Sequence, residues 1–515
     1  MKRCPGRSTI APPPTPTALA AALVLVAWPA LAQDAGQVTQ SRRLVVTPTF
    51  TASETYTETD SARDRGVRDG EFVTRLSPGL RISSRSGRVQ GSLDYRLNAS
   101  WYSKTSEAKA FDNVLSASFL AEAIDNRFFV DARASISQQT LSPFGTQSAD
   151  DRTRYNENQT EVRTATLSPY IVGSLGELAT WQLRYNASLT DTRGGTVNDS
   201  LTYGPTLTVS SSNAGALVGW GLLASQQTID FKGGRATEIE RVNAQLFFRP
   251  DPDVTLSVNG GQERTNVGSA FSRTYDNWGA GLRWTPTPRT LIALQGDERY
   301  YGRGHSVLVE QRMRRSVVRY TDSRDATSGA DPNGVGQPVT LYDLWFRVYA
   351  TIEPDTILRG QRVRDDLRLL GLDPNALVAG GLLGSAVSLQ QRRDLSWALL
   401  GVRTTLNLQA YNSTTRILDD PNNTGNAEPV RLWGYSATVS HRLTPTASIS
   451  LTGSRQIAKS TRTQPGNDLK SVLLAWSDRV STRTSVGLSA RYSVFDSPTD
   501  PYREAAVTAS VSLVF

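Results

Sequence analysis

The chain has 515 residues, 38% of them hydrophobic, and a mean hydropathy of −0.35, too polar for a bundle of membrane-spanning helices. Its net charge is +8, with only six lysines among 56 basic residues and no basic stripe interleaved with aromatics, which excludes nucleic acid as a partner. The one cysteine, Cys4, lies in the first segment, so a mature chain without that segment has no disulfide and no thiolate metal site. A chain this long holds two to four ordinary domains or one very large one.

In chain order, Lys2, Arg3 and Arg7 precede a Pro-rich run, the apolar "ALAAALVLVAWPA" (18–30) and the small-residue site Ala30-Leu31-Ala32. This pattern predicts a secretory signal peptide over 1–32, cleaved after Ala32. From residue 33 to 324 the sequence reads as the first part of a β-barrel. In "GRVQGSLDYRLNASWYS" (87–103), Val89, Gly91, Leu93, Tyr95, Leu97, Ala99 and Trp101 share one parity and Arg88, Gln90, Ser92, Asp94, Arg96 and Asn98 the other. A period of two puts the two sets on opposite faces of a strand. The same alternation recurs at 72–84, 178–192, 200–211, 241–250 and 484–495, in segments longer than a typical soluble strand.

Tight connections such as "SRSG" (84–87), "IDNR" (124–127), "RPDPD" (249–253) and "LTPTA" (443–447) alternate with longer polar ones at 59–70, 141–158, 231–238 and 417–430. Short turns at one end and long loops at the other predict a transmembrane antiparallel outer-membrane β-barrel with the short turns periplasmic. Pairing 304–312 with 316–324, and 385–397 with 402–415, gives an even strand count of 22, within a range of 18–22. A soluble propeller is the alternative architecture, but it calls for a repeat that the sequence lacks.

Residues 325–384 break the alternation, and Ile357, Val363, Leu367 and Leu370 take a helical period, with Asp355 as N-cap and Gly371 as stop. This mainly helical insert is either an extracellular loop or a plug in the lumen. Residues 385–515 supply the final strands, and the closing "REAAVTASVSLVF" alternates Val511, Leu513 and Phe515 on one face as a C-terminal signal for the outer-membrane assembly machinery.

The apolar parity faces lipid, because no second layer is encoded to cover it, and Trp101, Trp181, Trp278, Trp284, Trp433, Tyr95, Tyr185 and Tyr435 mostly fall on it. The polar parity then lines the lumen. Arg75, Arg81, Arg88, Arg96, Arg133, Arg184, Arg241 and Arg491, against Asp94 and Asp131, predict a cationic inner wall suited to an anionic polysaccharide, or arginines that brace the barrel. No catalytic, cofactor or metal site is assigned. His305 precedes Ser306, which points to the opposite face, and His441 lies near a periplasmic turn; the acid pairs Asp150-Asp151, Asp365-Asp366 and Asp419-Asp420 read as solvated charge.

The stretches "LSPGLRISSRSGRVQGSLDYRLNASWY", "NVLSASFLAEAIDNRFFVDARASISQQTLSPFG" (113–145), "LLGVRTTLNLQAY" (399–411), "VSHRLTPTASISLTGS" (439–454) and "RYSVFDSPTDPYREAAVTASVSLVF" (491–515) together resemble the outer-membrane β-barrel proteins associated with PEP-CTERM/exosortase systems. The resemblance spans the mature chain. It implies a role in exopolysaccharide assembly or export across a Gram-negative outer membrane, and it carries no catalytic residues over. Two other readings stand beside it: an outer-membrane enzyme on lipid or glycan that uses His305, and a structural barrel that displays the 325–384 insert as a binding module. The roughly ten residues between Gln33 and the first strand leave no room for an N-terminal plug domain, which disfavours TonB-dependent uptake.

Overall fold

Alternating sequences of this kind satisfy their backbone groups only by pairing with neighbours, and in hydrocarbon only by closing the sheet on itself. The computed structural model describes residues 44–515 apart from 62–68, 86, 105–109, 151–157, 194–198, 214, 233, 329–338, 341, 343–344, 347–348, 351–352, 354–355, 370–376, 380–385 and 419–427. The expected signal peptide, Asp355, Gly371 and Leu370 lie outside the described residues.

Twenty-two strands form one antiparallel sheet. The first, Leu44–Ser61, pairs on one side with Asp69–Arg85 and on the other with the last, Tyr502–Val514, from Thr49↔Val514 to Ser61↔Tyr502. That last pairing closes the barrel. The strands run from 10 to 18 residues, enough for a tilted strand to cross a bilayer. No helix among the described residues is long and apolar enough to do so.

The hairpin at 313–315 falls in the expected turn and the one at 401–403 lies two to three residues beyond the expected 398–401; they join Gly302–Arg312 to Ser316–Thr327 and Ser388–Leu400 to Thr404–Ile417. Two rims result, one of short turns and one bearing the long connections. On the short-turn rim Asn126 (φ 54°) and Gly176 (φ 56°) occupy the left-handed conformation that reverses the chain in "IDNR" and "GSLGE". Two connections differ from the expected lengths. Arg299 and Gly302 are joined by two residues on the long-loop rim, and the loop after Phe231 is only 232–236. The insert is also narrower than 325–384 at one end and wider at the other, because Asp325–Thr327 stay paired with Ser388–Gln390.

The faces follow parity. Outward positions are exposed and apolar, as at Leu183, Tyr185, Leu189, Leu246, Val258, Leu395, Leu451, Leu488 and Val507. Trp101, Trp278, Trp284 and Tyr435 are exposed on the same side. In the last strand Val511 and Phe515 are exposed, Leu513 shares their parity, and the Phe515 N–H donates to the Pro48 carbonyl at 3.0 Å. Inward positions are polar and covered: Asn243, Asn277, Gln390, Arg392, Ser448 and Glu504 are all buried. The protein therefore places its charge inside and its apolar side chains outside, the inverse of a soluble β-sandwich.

Candidate functional site: the inner wall and the two segments folded onto it

The inner wall is built from ion pairs, some across neighbouring strands and some within one. Arg75 donates to Ser100 Oγ at 2.8 Å and lies 3.4 Å from Asp112; Arg81 grips Asp94 at 2.9 Å; Arg133 and Arg184 share Asp131 at 3.1 and 3.7 Å. Arg184 also stacks on the Tyr170 ring at 4.2 Å, which itself stacks on Phe129 at 5.0 Å. Arg491 bonds Asp150 at 2.8 Å and Glu504 at 3.2 Å. Arg96 lies opposite Gly79 in the register. Arg88 departs from the expected place: it sits in the short-turn rim rather than along the wall, exposed and paired with Asp125 at 3.0 Å.

The expectation of eight arginines facing two acids is corrected here. Acids absent from that count, Asp112, Asp125, Asp150 and Glu504, reach these same arginines, so the wall is close to charge-balanced. Further balanced pairs line it, among them Arg299 between Glu263 (2.5 Å) and Asp325 (3.0 Å), Arg319 on Glu310 (2.8 Å) and Arg392 on Asp394 (2.9 Å). Glu263 and Glu504 are 0% and 1% exposed, and a carboxylate so buried is tolerated only with a cation and hydrogen bonds around it. Arg241 joins Glu263, Arg299 and Asp325 in lining a cavity of about 180 Å³, with its Nε lacking a hydrogen-bond partner. Glu263, Glu310 and Glu504, none of them in that count, stand on inward positions of their strands; which arginine each meets depends on strand register, which periodicity does not carry.

Two connections fold inward onto this wall. The first is residues 141–150, the described start of the connection 141–158, expected as an ordinary polar loop with Asp150 in solvent. Instead Phe144 packs on Tyr411, Leu432 and Ala458, and Ala149 packs on Leu469, Phe495 and Tyr502. Tyr502 Oη donates to the Gln147 carbonyl at 2.6 Å, Asn467 Nδ2 to the Pro143 carbonyl at 2.8 Å and Thr146 Oγ1 to Asp500 at 2.8 Å. Residues 141–150 leave the sheet after Phe128–Thr140 yet land on strands near the chain's end, over part of the mouth.

The second is the insert. It leaves and rejoins the wall at the long-loop rim, where Val387 packs with Ile229, Phe231 and Val267. Its helix α1, Thr356–Leu369, buries Val363 and Leu367 against Trp345 and Tyr349, as the helical spacing predicted. The same cluster includes Ala398 and packs against Leu400, the last residue of its strand, at the short-turn rim. Ala398 shares the inward parity of Arg392 and Asp394 and is 4% exposed. An insert rooted at one rim that packs on inward residues at the other runs down the lumen. Of the two placements left open by the sequence, these contacts agree with the one inside the lumen. Tyr349 Oη donates to Asp366 at 2.7 Å within the insert, so the Asp365-Asp366 pair is not simply solvated charge.

The histidines lie on the outer face. His305 Nε2 is 3.0 Å from Asp322, which also accepts from Arg393 at 3.0 Å, and Ser306 takes the opposite parity. His441 Nδ1 meets Thr404 Oγ1 at 2.8 Å beside a short turn, as its position predicted.

No family model matches the chain and no curated protein matches it. Among solved structures, the FrpB iron transporter from Neisseria meningitidis (F5-1 variant, apoprotein form) aligns at TM-score 0.45 and 10% identity over 90% of this chain and 81% of its own. The siderophore receptor PirA from Pseudomonas aeruginosa gives TM-score 0.37 at 10% identity over 93% and 81%, and OpdO from Pseudomonas aeruginosa 0.31 at 13% over 92% and 99%. Likenesses this loose say nothing about cargo.

Proposed function

We propose that this barrel is a non-enzymatic conduit of the Gram-negative outer membrane for a polar glycan chain, with its lumen controlled by the insert. The carrying observation is the inner wall itself, a run of arginine–carboxylate pairs with a Phe129–Tyr170 stack among them. Forked guanidinium and carboxylate groups exchange hydrogen bonds with hydroxyls, and ring faces receive the apolar faces of sugars. A charge-balanced wall favours a polyhydroxylated polymer over a strongly anionic one, which narrows the anionic-polysaccharide expectation. Exopolysaccharide export is the process that fits such a cargo, and it is the role implied by the resemblance to PEP-CTERM/exosortase-associated barrels.

Loss of the chain from its host is expected to leave polysaccharide synthesis intact while the polymer accumulates in the periplasm. Fractionated carbohydrate analysis reads this directly. Unchanged release of polysaccharide into the medium would overturn the export role.

A further inference from the structure

The outer wall is uneven above its apolar band. On the outward positions nearest the long-loop rim, the strands between Gln159 and Thr287 carry Asp191, Asp230, Glu238, Glu240 and Asp276 against Arg163 and Arg264. The strands between Ser388 and Asp496 carry, at the corresponding level, Arg393, Arg416, Arg431, Arg455 and Lys470 against Asp468 and Asp496, with Lys459 one residue past its strand and Asp322 beside Arg393.

The acids in this second sector are already engaged. Asp468 holds Arg455 at 2.8 Å and Lys470 at 3.3 Å, and Asp496 holds Lys470 at 2.8 Å. Glu428 accepts the Arg462 N–H at 2.6 Å. Arg416, Arg431 and Lys459 remain exposed, with no ion pair to a described residue. They come from three successive strand ends. Thr414, two residues before Arg416, opposes Arg431, and the Lys459 N–H donates to the Arg431 carbonyl at 3.0 Å. Lys459 Nζ stands 5.3 Å over the Trp433 ring. Directly toward the short-turn rim the same faces continue as Tyr435, Leu408, Val439 and Leu451, all exposed. Three cations with no ion pair among the described residues thus sit at the edge of an apolar wall, with an aromatic belt between.

Resting on the membrane placement proposed above, we infer that this face binds a phosphorylated glycolipid of the outer leaflet. Arg416, Arg431 and Lys459 take its headgroup phosphates, and its acyl chains lie along Tyr435, Leu408 and Val439. Guanidinium forks grip phosphate in two places, and a cation beside a lipid surface adds roughly fivefold to binding. The acidic sector on the other side of the barrel repels the same headgroup, so the lipid occupies one side only.

The test uses the full barrel reconstituted in phosphatidylcholine vesicles containing either a bisphosphorylated diglucosamine lipid or its dephosphorylated form, with bound lipid counted by native mass spectrometry after extraction. The wild type is expected to retain the phosphorylated lipid selectively. The triple variant Arg416→Gln/Arg431→Gln/Lys459→Gln should lose about 100-fold in that preference while keeping its heat-modifiable mobility on gels, the mark of a folded barrel. Equal retention of the two lipids by the wild type, or undiminished selectivity in the triple variant, would overturn the inference. So would recovery of an acidic protein on this face in place of lipid. Failure of the wild type to insert into either bilayer would instead strike the membrane placement, and is distinguished by the vesicle flotation step.

Discussion

The double variant Val363→Asp/Leu367→Asp is expected to open the lumen, raising single-channel conductance several-fold over the wild type in planar bilayers. Both side chains are 0% exposed in the cluster that joins α1 to Ala398 and packs against Leu400. An unpaired carboxylate in an apolar site costs several kcal/mol, more than a small cluster of this kind supplies. The insert therefore releases its hold at the short-turn rim while the 22-strand ladder, which it does not complete, remains closed. Leu358→Asp is the matched control. It adds a charge to the same helix at an exposed position and should leave conductance where it was. Equal conductance in the double variant and the control would show that the insert does not obstruct the lumen.

Removing Arg491 is expected to be the most destabilising single change in the wall. Its guanidinium holds Glu504 at 3.2 Å and Asp150 at 2.8 Å, and Glu504 is otherwise bonded by Thr57 Oγ1 at 3.0 Å. Arg491→Leu strands a buried carboxylate, a defect worth about 3–5 kcal/mol. It also removes the ion pair that ties Asp150 to the wall. Urea unfolding in lipid vesicles should register the loss, and Glu504→Gln in the same background should return a large part of it, because the group left behind is then neutral. A stability loss that the second substitution does not reduce would mean that the pair is not what holds this region.

Much of this architecture is legible in the alternation. Val89 through Trp101 declare their face unaided, because a strand's two sides differ only by parity and lipid and water demand opposite chemistry of them. The hairpins at 313–315 and 401–403 follow from the same logic, since an even count forces them. Val363 and Leu367 follow from helical spacing. What stayed hidden is whatever depends on a partner distant in the chain. Asp150 reads as loop charge until the fold lays it against Arg491, and Phe144 gives no local sign that it will pack on Tyr411 and Leu432. The inner wall's charge balance is hidden for the same reason. Periodicity assigns Glu263 and Glu504 a side, whereas only register tells which arginine each neutralises.

The insert reaches down the lumen to the short-turn rim, and proximity across that contact tests this placement most directly. Cys4 is the chain's only cysteine, and it lies in the segment expected to be cleaved, so a pair of introduced thiols would react without competition in the mature barrel. In Leu367→Cys/Ala398→Cys, a short bifunctional thiol reagent added to the folded barrel in vesicles should link the two positions. A protease cut introduced between them would then no longer separate the fragments on a denaturing gel. Complete separation after treatment, in a barrel still folded by heat-modifiable mobility, would contradict the placement of the insert inside the barrel.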